Sequence, residues 1–537
     1  MLLKNTNNVL PLENLDGKTI AVIGPNALRS VATGGGSSNL DVPHYRTIPY
    51  QSIKNEVAKK FPGATVCGHA GISMHKYLPL MNSGAMKNPR TGDPGFAVTF
   101  WGNTTHTGTP VSLLNQKTTN FSWPDGLPAA LTDGRRYSYR ARSIMTPKTS
   151  GLHQFGISAC GSAKLMLDGK VILDIDRHWW SPRAGLFMGY ASAEERVSVQ
   201  MEAGREYELV LDVISRENRP SEFDFMAMLE REDPSDGVRL GFLEDEGDTD
   251  KTLQEAVDLA RSSDIAVLVV GKDHEWEAEA IDMVSMDLPG RSNELVAAVA
   301  KANPNTIVVN QTGSPITMPW EAEVSAIVQA WYQGQEQGNC IADILLGNVN
   351  PCGRLPITFP RRLEDNPSYD NYPGEYDVVH YGENIYAGYR FYDHRKIEPL
   401  FPFGAGISYT TFEYSNIRLS RDIIFVDGTI TVEVDVSNTG SRDGKEVVQF
   451  YVSQASPRLQ RPHQELKGYD KVFVQAGQTV TARTTLDKVS VSYWDEGMKS
   501  WVIDGGAKFT VRAAKHSRDE GVAAVFHSCA QGGAWIN

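Results

Sequence analysis

Residues 264–291 read DIAVLVVGKDHEWEAEAIDMVSMDLPGR, an apolar run that leads into a loop crowded with carboxylates. The run, residues 264–271, has no polar alternation, which is typical of a strand covered on both faces in a parallel sheet. Open α/β sheets bind ligands outside the carboxyl ends of their strands. The sequence therefore predicts a catalytic or ligand-binding loop, whose candidate carboxylates are Glu275, Glu277, Glu279 and Asp282.

The same loop holds two further candidates, His274 and Trp276. Histidine titrates near neutral pH, so His274 could act as a base beside a neighbouring glutamate. A surface histidine without a role is the alternative. Trp276 offers an aromatic face on which a ligand could stack.

Short apolar runs alternate with segments of helical spacing on both sides of this loop. The alternation predicts a parallel sheet with right-handed crossovers. The predicted strands are residues 18–24, 264–270, 306–310 and 326–330, and the predicted helices are residues 250–261, 293–302, a segment from about Ala322, and 338–346.

Residues 33–38, TGGGSS, form a glycine-rich segment after the strand 18–24. A nucleotide-phosphate cradle is one interpretation, but the spacing matches neither the dinucleotide fingerprint nor the lysine-containing P-loop. The other interpretation is a tight turn that packs against its neighbours or faces a ligand.

Two long segments alternate apolar and polar residues and carry turn glycines, which is typical of β-sandwiches. The first is about residues 95–230, with Asp168-Gly169 as a hairpin turn. The second begins at Phe401. Trp179 and Trp180 in the first segment are candidates for stacking on a ligand, with burial in a core or interface as the alternative.

Composition excludes several classes of partner. The chain has 537 residues, a net charge of −13 and a pI of about 5.5, so neither nucleic acid nor an anionic membrane is expected as a partner. No apolar run approaches the roughly 20 residues of a membrane span. The start, MLLKNTNNVLPL, lacks a signal-peptide core, so we expect a cytoplasmic protein as written, or a secreted one if the native start lies upstream. The five cysteines lack metal-ligand spacing and no cofactor fingerprint occurs, so neither a metal nor a cofactor is expected.

Three stretches carry a family resemblance: the carboxylate loop, WYQGQEQG at residues 331–338, and GNVNPCGRLPITFP at residues 347–360. With them the chain resembles the later domains of fungal family 3 glycoside hydrolases of the β-glucosidase type. That family's loop usually reads E-x-E-x-E-G-[YF]-D-R followed by D-L-P, and its third glutamate is the general acid/base. The resemblance places this role on Glu279.

The resemblance also implies the fold: an α/β sandwich interrupted by an inserted β-sandwich and followed by a fibronectin type III-like β-sandwich. The implied domains are residues 1–94 and 233–365 for the two parts of the α/β sandwich, 95–232 for an insert of the protective-antigen type, 366–400 for a connector, and 401–537 for the fibronectin type III-like domain.

In the family the nucleophile is an aspartate of an S-D-W motif on an N-terminal (β/α)8 barrel, and no S-D-W occurs here. We therefore expect the barrel to be missing from this chain, supplied elsewhere, or lost, and the candidate partners are a barrel-bearing protein or a second copy of the chain in a homodimer. Ala280, Ile281 and Met283 stand where the family usually has glycine, an aromatic residue and arginine.

Three functions stay open. The first is the acid/base portion of a β-glucosidase that acts on β-linked glycosides. The second is a repurposed enzyme with non-hydrolytic acid/base chemistry on another small molecule, for which a hydrophobic molecule is a candidate. The third is a non-catalytic carbohydrate-binding protein. Each predicts a small-molecule or oligosaccharide ligand at Glu279, with Glu275, Glu277, Asp282 and His274 in support.

Overall fold

The computed structural model describes residues 1–39, 44–123, 127–129, 131, 137–176, 191–215, 237–279, 282–376 and 378–536. The described residues form three bodies: an α/β sheet, an inserted pair of β-sheets and a C-terminal β-sandwich. Trp179, Trp180, Ala280 and Ile281 lie outside the described residues, so their predicted roles receive no structural account.

The α/β body is built on a six-stranded sheet. From edge to edge its strands are Leu2–Asn5, Ala326–Gln329, Thr306–Gln311, Ile265–Gly271, Thr19–Ile23 and Thr65–His69. All neighbours run parallel except the first pair, which is antiparallel. The predicted parallel sheet is thus confirmed, with one antiparallel edge strand added. Numbered along the chain, the five parallel strands lie in the spatial order 2-1-3-4-5.

The strand Ile265–Gly271 is buried on both sides because helices cover both faces of the sheet. Alternate residues point to opposite faces, so Leu268 packs with the helices Thr249–Arg261 and Ser292–Ala302. Val267 packs with the helices Pro49–Lys60 and Gln337–Leu345 on the other side. Full burial of each such side chain stabilises the fold by about 1.5–3 kcal/mol.

Helix bounds agree with the sequence-based expectations to within about one residue, with one correction. The helix expected from about Ala322 is a single 3-10 turn, Glu321–Glu323. Val324 is already extended and leads into the strand that starts at Ala326, so one turn fills the available length. The other 3-10 turns described are Thr6–Asn8, Gly36–Ser38, Ser83–Ala85, Gly334–Glu336 and Leu363–Asp365.

The insert consists of two sheets around one core that is rich in aromatic residues. The larger sheet contains Lys170–Ile175, Ser162–Leu167, Tyr207–Ile214, Ser138–Met145, Phe96–Trp101 and Ser112–Gln116, with Met86–Lys87 beside Ser138–Met145. The smaller contains Glu195–Met201, Gly151–Ala159, Val238–Leu243 and Asn120–Phe121. Asp168 and Gly169 form the predicted hairpin turn, with φ of 48° and 77°.

The insert extends further than residues 95–232 in both directions. Met86–Lys87 pairs with one sheet, and Val238–Leu243 pairs with the other. The second boundary lies after Leu243 rather than at residue 232, because the strand Val238–Leu243 pairs with the insert strand Gly151–Ala159. The α/β body resumes with the helix Thr249–Arg261, which Asp248 caps by accepting from the amides of Asp250 and Lys251.

The C-terminal body is a β-sandwich around a core of its own. Its sheets are, in spatial order, Phe412–Leu419, Ile430–Asn438 and Thr479–Leu486; Ile423–Ile424, Val522–Ser528, Lys508–Ala514, Gly444–Gln454 and Glu465–Val474; and Tyr493–Asp495, Ser500–Ile503 and Gly533–Trp535. A short helix, Lys488–Val491, lies between strands, and the helix Tyr389–Arg395 lies in the connector. No helix within the described ranges is long and apolar enough to cross a bilayer.

Candidate active site

The candidate site lies where the strand order of the sheet reverses. The first and third parallel strands, Thr19–Ile23 and Ile265–Gly271, are neighbours, and the chain leaves them in opposite directions across the sheet. A crevice forms at such a point, outside the carboxyl ends of the strands. Two segments meet there: the glycine turn, residues 33–38, and the carboxylate loop, residues 272–291.

The glycine turn is the surface on which the carboxylate loop rests. The Gly35 amide donates to the Glu277 carbonyl at 2.8 Å. A Cβ on Gly35 would lie 2.6 Å from the Ala278 Cβ. A Cβ on Gly36, whose φ is 75°, would overlap the Cβ of Glu279. The glycines therefore allow close backbone approach, which is the packing turn predicted as one alternative.

Glu277 is the buried anchor of the loop. Its carboxylate accepts from the Gly313 amide at 2.5 Å, from the Tyr332 hydroxyl at 2.5 Å and from the Ser314 hydroxyl. The Lys272 ammonium lies 3.8 Å away, and the two side chains are only 3% and 10% exposed. Gly313 and Tyr332 follow the next two strands of the sheet, so Glu277 ties the loop to three strand ends. These contacts leave it a structural role.

Glu275 and Trp276 anchor the loop on its other side, against residues 74–78. The Glu275 carboxylate accepts from the amides of Lys76 at 3.2 Å and Tyr77 at 3.4 Å. The Trp276 indole N–H donates to the Met74 carbonyl at 2.7 Å, and the Lys76 ammonium lies over its ring. Burial raises the pKa of Glu275, and the neighbouring Asp273 charge acts in the same direction. The half-buried Trp276 serves here as packing.

Glu279 differs from the other two glutamates because its side chain is exposed. Its carboxylate accepts from the Ser37 hydroxyl and, at 2.9 Å, from the Ser37 amide. These hydrogen bonds from Ser37 stabilise the charged form and lower the pKa of Glu279. No cation among the described residues pairs with it. Glu279 is thus an oriented, ionised carboxylate open to solvent.

Asp282 and His274 are exposed and lie apart from this arrangement. The Asp282 carboxylate accepts from the Tyr372 hydroxyl of the connector at 2.7 Å. Met283, where the related loop has arginine, accepts at its sulfur from the Lys272 ammonium at 3.2 Å. The Lys272 ammonium also lies 3.8 Å from the Glu277 carboxylate, so Lys272 supplies the positive charge beside Glu277.

Sequence reasoning missed Ser37, Lys272, Tyr332 and Arg239, which contact the loop glutamates. Lys272 had a usable signal as a lysine directly after a buried strand, and Ser37 and Tyr332 lie in segments that the sequence already marks, residues 33–38 and 331–338. In the part of the chain that the structure describes, no group of three or more histidine, cysteine, aspartate or glutamate side chains is placed to hold a metal ion. Glu279 is the exposed glutamate of the loop, and its carboxylate can accept or donate a proton.

These features define a multidomain α/β protein with an exposed, hydrogen-bonded carboxylate at the carboxyl edge of its sheet. Residues 1–409 match the glycosyl hydrolase family 3 C-terminal domain, and residues 446–517 match a fibronectin type III-like domain. The chain belongs to glycosyl hydrolase family 3.

Related proteins align with nearly all of this chain. A β-glucosidase of Rhizobium radiobacter is 37% identical over 519 residues, which are 96% of this chain and 59% of that protein. β-Glucosidase B of Emericella nidulans is 37% identical over 524 residues, with 94% and 59% covered. The chain therefore spans about three-fifths of the length of these relatives.

The fold is likewise that of a solved family member. The crystal structure of a β-glucosidase from Kluyveromyces marxianus in complex with glucose aligns with a TM-score of 0.84 at 32% identity. The alignment covers 99% of this chain and 62% of that one. It includes the α/β sheet, the insert and the C-terminal sandwich, so the predicted architecture is confirmed.

Proposed function

We propose that this chain provides the general acid/base side of a β-glucosidase active site, with Glu279 as the proton-transfer group. The observation that carries the proposal is the presentation of Glu279. Among the three glutamates of the loop it alone is exposed, and it is held by Ser37 at the point where the strand order reverses. The names of the relatives support a β-glucoside as the substrate class.

A retaining glycosidase needs a second carboxylate about 5 Å from the first as nucleophile. Glu275 and Glu277 are unsuited to that role because both are committed to hydrogen bonds and cations within the fold. We therefore assign the nucleophile to a barrel-bearing protein segment that docks on this edge, rather than to the loop itself. A second copy of the chain is the alternative partner.

Two properties of the edge support a docked partner. Val284 is 84% exposed and Tyr372 is 53% exposed, so an apolar rim adjoins the carboxylate loop. A general acid must also carry a proton near neutral pH, whereas the hydrogen bonds from Ser37 lower the pKa of Glu279. A surface that covers Glu279 would raise its pKa by desolvation, which converts the base of the uncovered chain into an acid.

The test uses purified residues 1–537, alone and mixed with the N-terminal part of the Rhizobium radiobacter relative that this chain does not match. Hydrolysis is measured for phenyl and for 2,4-dinitrophenyl β-glucoside, because the second leaving group departs without a proton. With Glu279→Gln we expect the glycosyl-transfer step on the phenyl glucoside to slow by about 10²–10⁴-fold, and that on the dinitrophenyl glucoside to change far less.

Glu206→Gln, at an exposed glutamate of the insert, is the matched control and should leave both rates unchanged. Equal losses for both glucosides in Glu279→Gln would refute the acid/base role. Turnover by the chain alone, with no partner added, would refute the assignment of the nucleophile to a docked barrel. Bound glucoside without turnover in any mixture would replace the proposal by a carbohydrate-binding function.

A further inference from the structure

Residues 74–78 form a strap between the insert and the carboxylate loop, and both sides hold it. From the loop, Glu275 accepts from two amides of the strap and Trp276 donates to the Met74 carbonyl. From the insert, Glu194 accepts from the Leu78 amide at 3.1 Å. Gly241 approaches so closely that a Cβ there would lie 2.6 Å from the Leu78 Cβ. The insert therefore contacts the loop through a tightly packed strap.

Arg239 links the two sides directly. It lies in the insert strand Val238–Leu243, and its guanidinium donates to Glu194 at 3.2 Å and to Glu275 at 3.2 Å. The same group lies 5.3 Å from the centre of the Tyr77 ring. The side chains of Arg239, Glu194 and Glu275 are 9%, 4% and 12% exposed. One buried cation thus joins a carboxylate of the insert to a carboxylate of the loop.

The charges in this cluster show which side of the link depends more on Arg239. Without Arg239, two buried carboxylates would face each other with no cation between them. Removal of one partner from a buried ion pair leaves an uncompensated charge, which is strongly unfavourable unless that group takes up a proton or moves toward water. Glu275 would lose its ion pair and keep the amide donors Lys76 and Tyr77, whereas Glu194 would keep the Arg196 guanidinium, so the loop side of the link is the side expected to shift.

Three residues separate Glu275 from Glu279, and backbone hydrogen bonds hold this short segment. The Glu277 amide donates to the Asp273 carbonyl at 2.9 Å, and the Gly35 amide donates to the Glu277 carbonyl. A shift of Glu275 is therefore transmitted to the segment that carries Glu279.

We infer that Arg239 of the insert is a positioning residue that holds Glu275, and through it the orientation of Glu279. The inference rests on the proposed function of Glu279 for its meaning in catalysis. The insert then determines the geometry of the carboxylate loop, in addition to any contact that it makes with a ligand.

The test is amide hydrogen exchange of residues 1–537 with Arg239→Met, which requires no turnover and so succeeds or fails independently of the proposed function. We expect exchange at the Glu277 and Gly35 amides to become faster by on the order of tenfold or more. Arg239→Lys, which keeps the charge, should restore part of the protection. Amides of the central strand Ile265–Gly271 should be unaffected.

Arg140→Met is the matched control, because Arg140 forms a less buried ion pair with Asp212 elsewhere in the same insert. Glu275→Gln removes the loop half of the link and leaves the Arg239–Glu194 pair intact, so it tests the same coupling if Arg239→Met does not fold. Faster exchange confined to residues 74–78 and the strand Val238–Leu243, with Glu277 and Gly35 unchanged, would reduce Arg239 to an adhesive contact and overturn the inference.

Discussion

Replacement of Glu277 by glutamine is expected to destabilise the α/β body by about 3 kcal/mol at neutral pH. One carboxylate oxygen accepts from Gly313 and Tyr332, and the other faces Ser314 and Lys272. A glutamine carbonyl can replace only one oxygen. The Gly313 amide cannot reverse its polarity, so the glutamine NH₂ group is forced toward Lys272. Lys272, which is 3% exposed, then loses its ion-pair partner and keeps the Met283 sulfur and the more distant charge of Asp287.

The pH dependence of this loss has a defined sign. Burial lowers the pKa of Lys272, and Glu277 opposes that effect, so the pKa falls further in Glu277→Gln. A lysine whose folded-state pKa lies below its unfolded value of about 10.4 imposes a penalty that is complete below the folded pKa. The penalty disappears as the pH rises from the folded pKa toward the unfolded one. The stability difference between wild type and Glu277→Gln should therefore shrink as the pH approaches about 10.

The measurement is urea unfolding at several pH values, followed by circular dichroism. Glu255→Gln is the matched control because Glu255 pairs with Lys251 at the surface, where such a pair contributes about 0–1 kcal/mol. Lys272→Met added to Glu277→Gln should recover stability and remove the pH dependence. A Glu277→Gln protein within about 0.5 kcal/mol of wild type at pH 7, or a difference that grows with pH, would refute this reasoning.

Two further predictions concern the seat of Glu279. Gly36→Ala should impair hydrolysis in the completed enzyme because the added Cβ overlaps Glu279. Gly17→Ala carries the same left-handed backbone strain, about 1–2 kcal/mol in each variant, with no atom within 4 Å of the added Cβ. Comparison of melting temperatures and rates therefore separates backbone strain from displacement of Glu279. Equal rates of hydrolysis in Gly36→Ala and Gly17→Ala would contradict the predicted displacement of Glu279. Ser37→Ala removes the hydroxyl hydrogen bond, one of the two that lower the pKa of Glu279. The Glu279 carboxyl should therefore titrate at higher pH in a ¹³C NMR titration, and an unchanged midpoint would exclude the Ser37 hydroxyl as a cause.

Much of the fold follows from local patterns. The apolar run 264–270 predicts the central strand to within one residue, because burial on both faces leaves no polar position in it. Asp168-Gly169 predicts its hairpin because both residues adopt positive φ with little cost. The insert boundaries were less accurate, since the strands Met86–Lys87 and Val238–Leu243 are defined by their partners and carry little periodicity of their own.

The site is harder to predict for a physical reason. Glu275, Glu277 and Glu279 alternate with other residues along the loop and are chemically identical, so only their surroundings distinguish them. Those surroundings come from far along the chain: Ser37 is 242 residues from Glu279, and Tyr332 is 55 residues from Glu277. The family resemblance supplied the proposed role of Glu279, while the anchoring contacts of Glu275 and Glu277 required the folded structure.

The placement of the insert has a consequence for how the protein is made. The strands Thr19–Ile23 and Ile265–Gly271 are neighbours in the sheet, and the Thr19 amide donates to Asp264, 245 residues later. During synthesis the first half of the α/β body therefore lacks its neighbouring strand, and one of its apolar faces stays uncovered, until the whole insert has left the ribosome. A folded insert with adjacent ends shortens the loop that must close, which lowers the entropic cost of joining the halves. Mutations that slow folding of the insert should thus lower the yield of correctly assembled α/β sheet, even where they touch none of its strands.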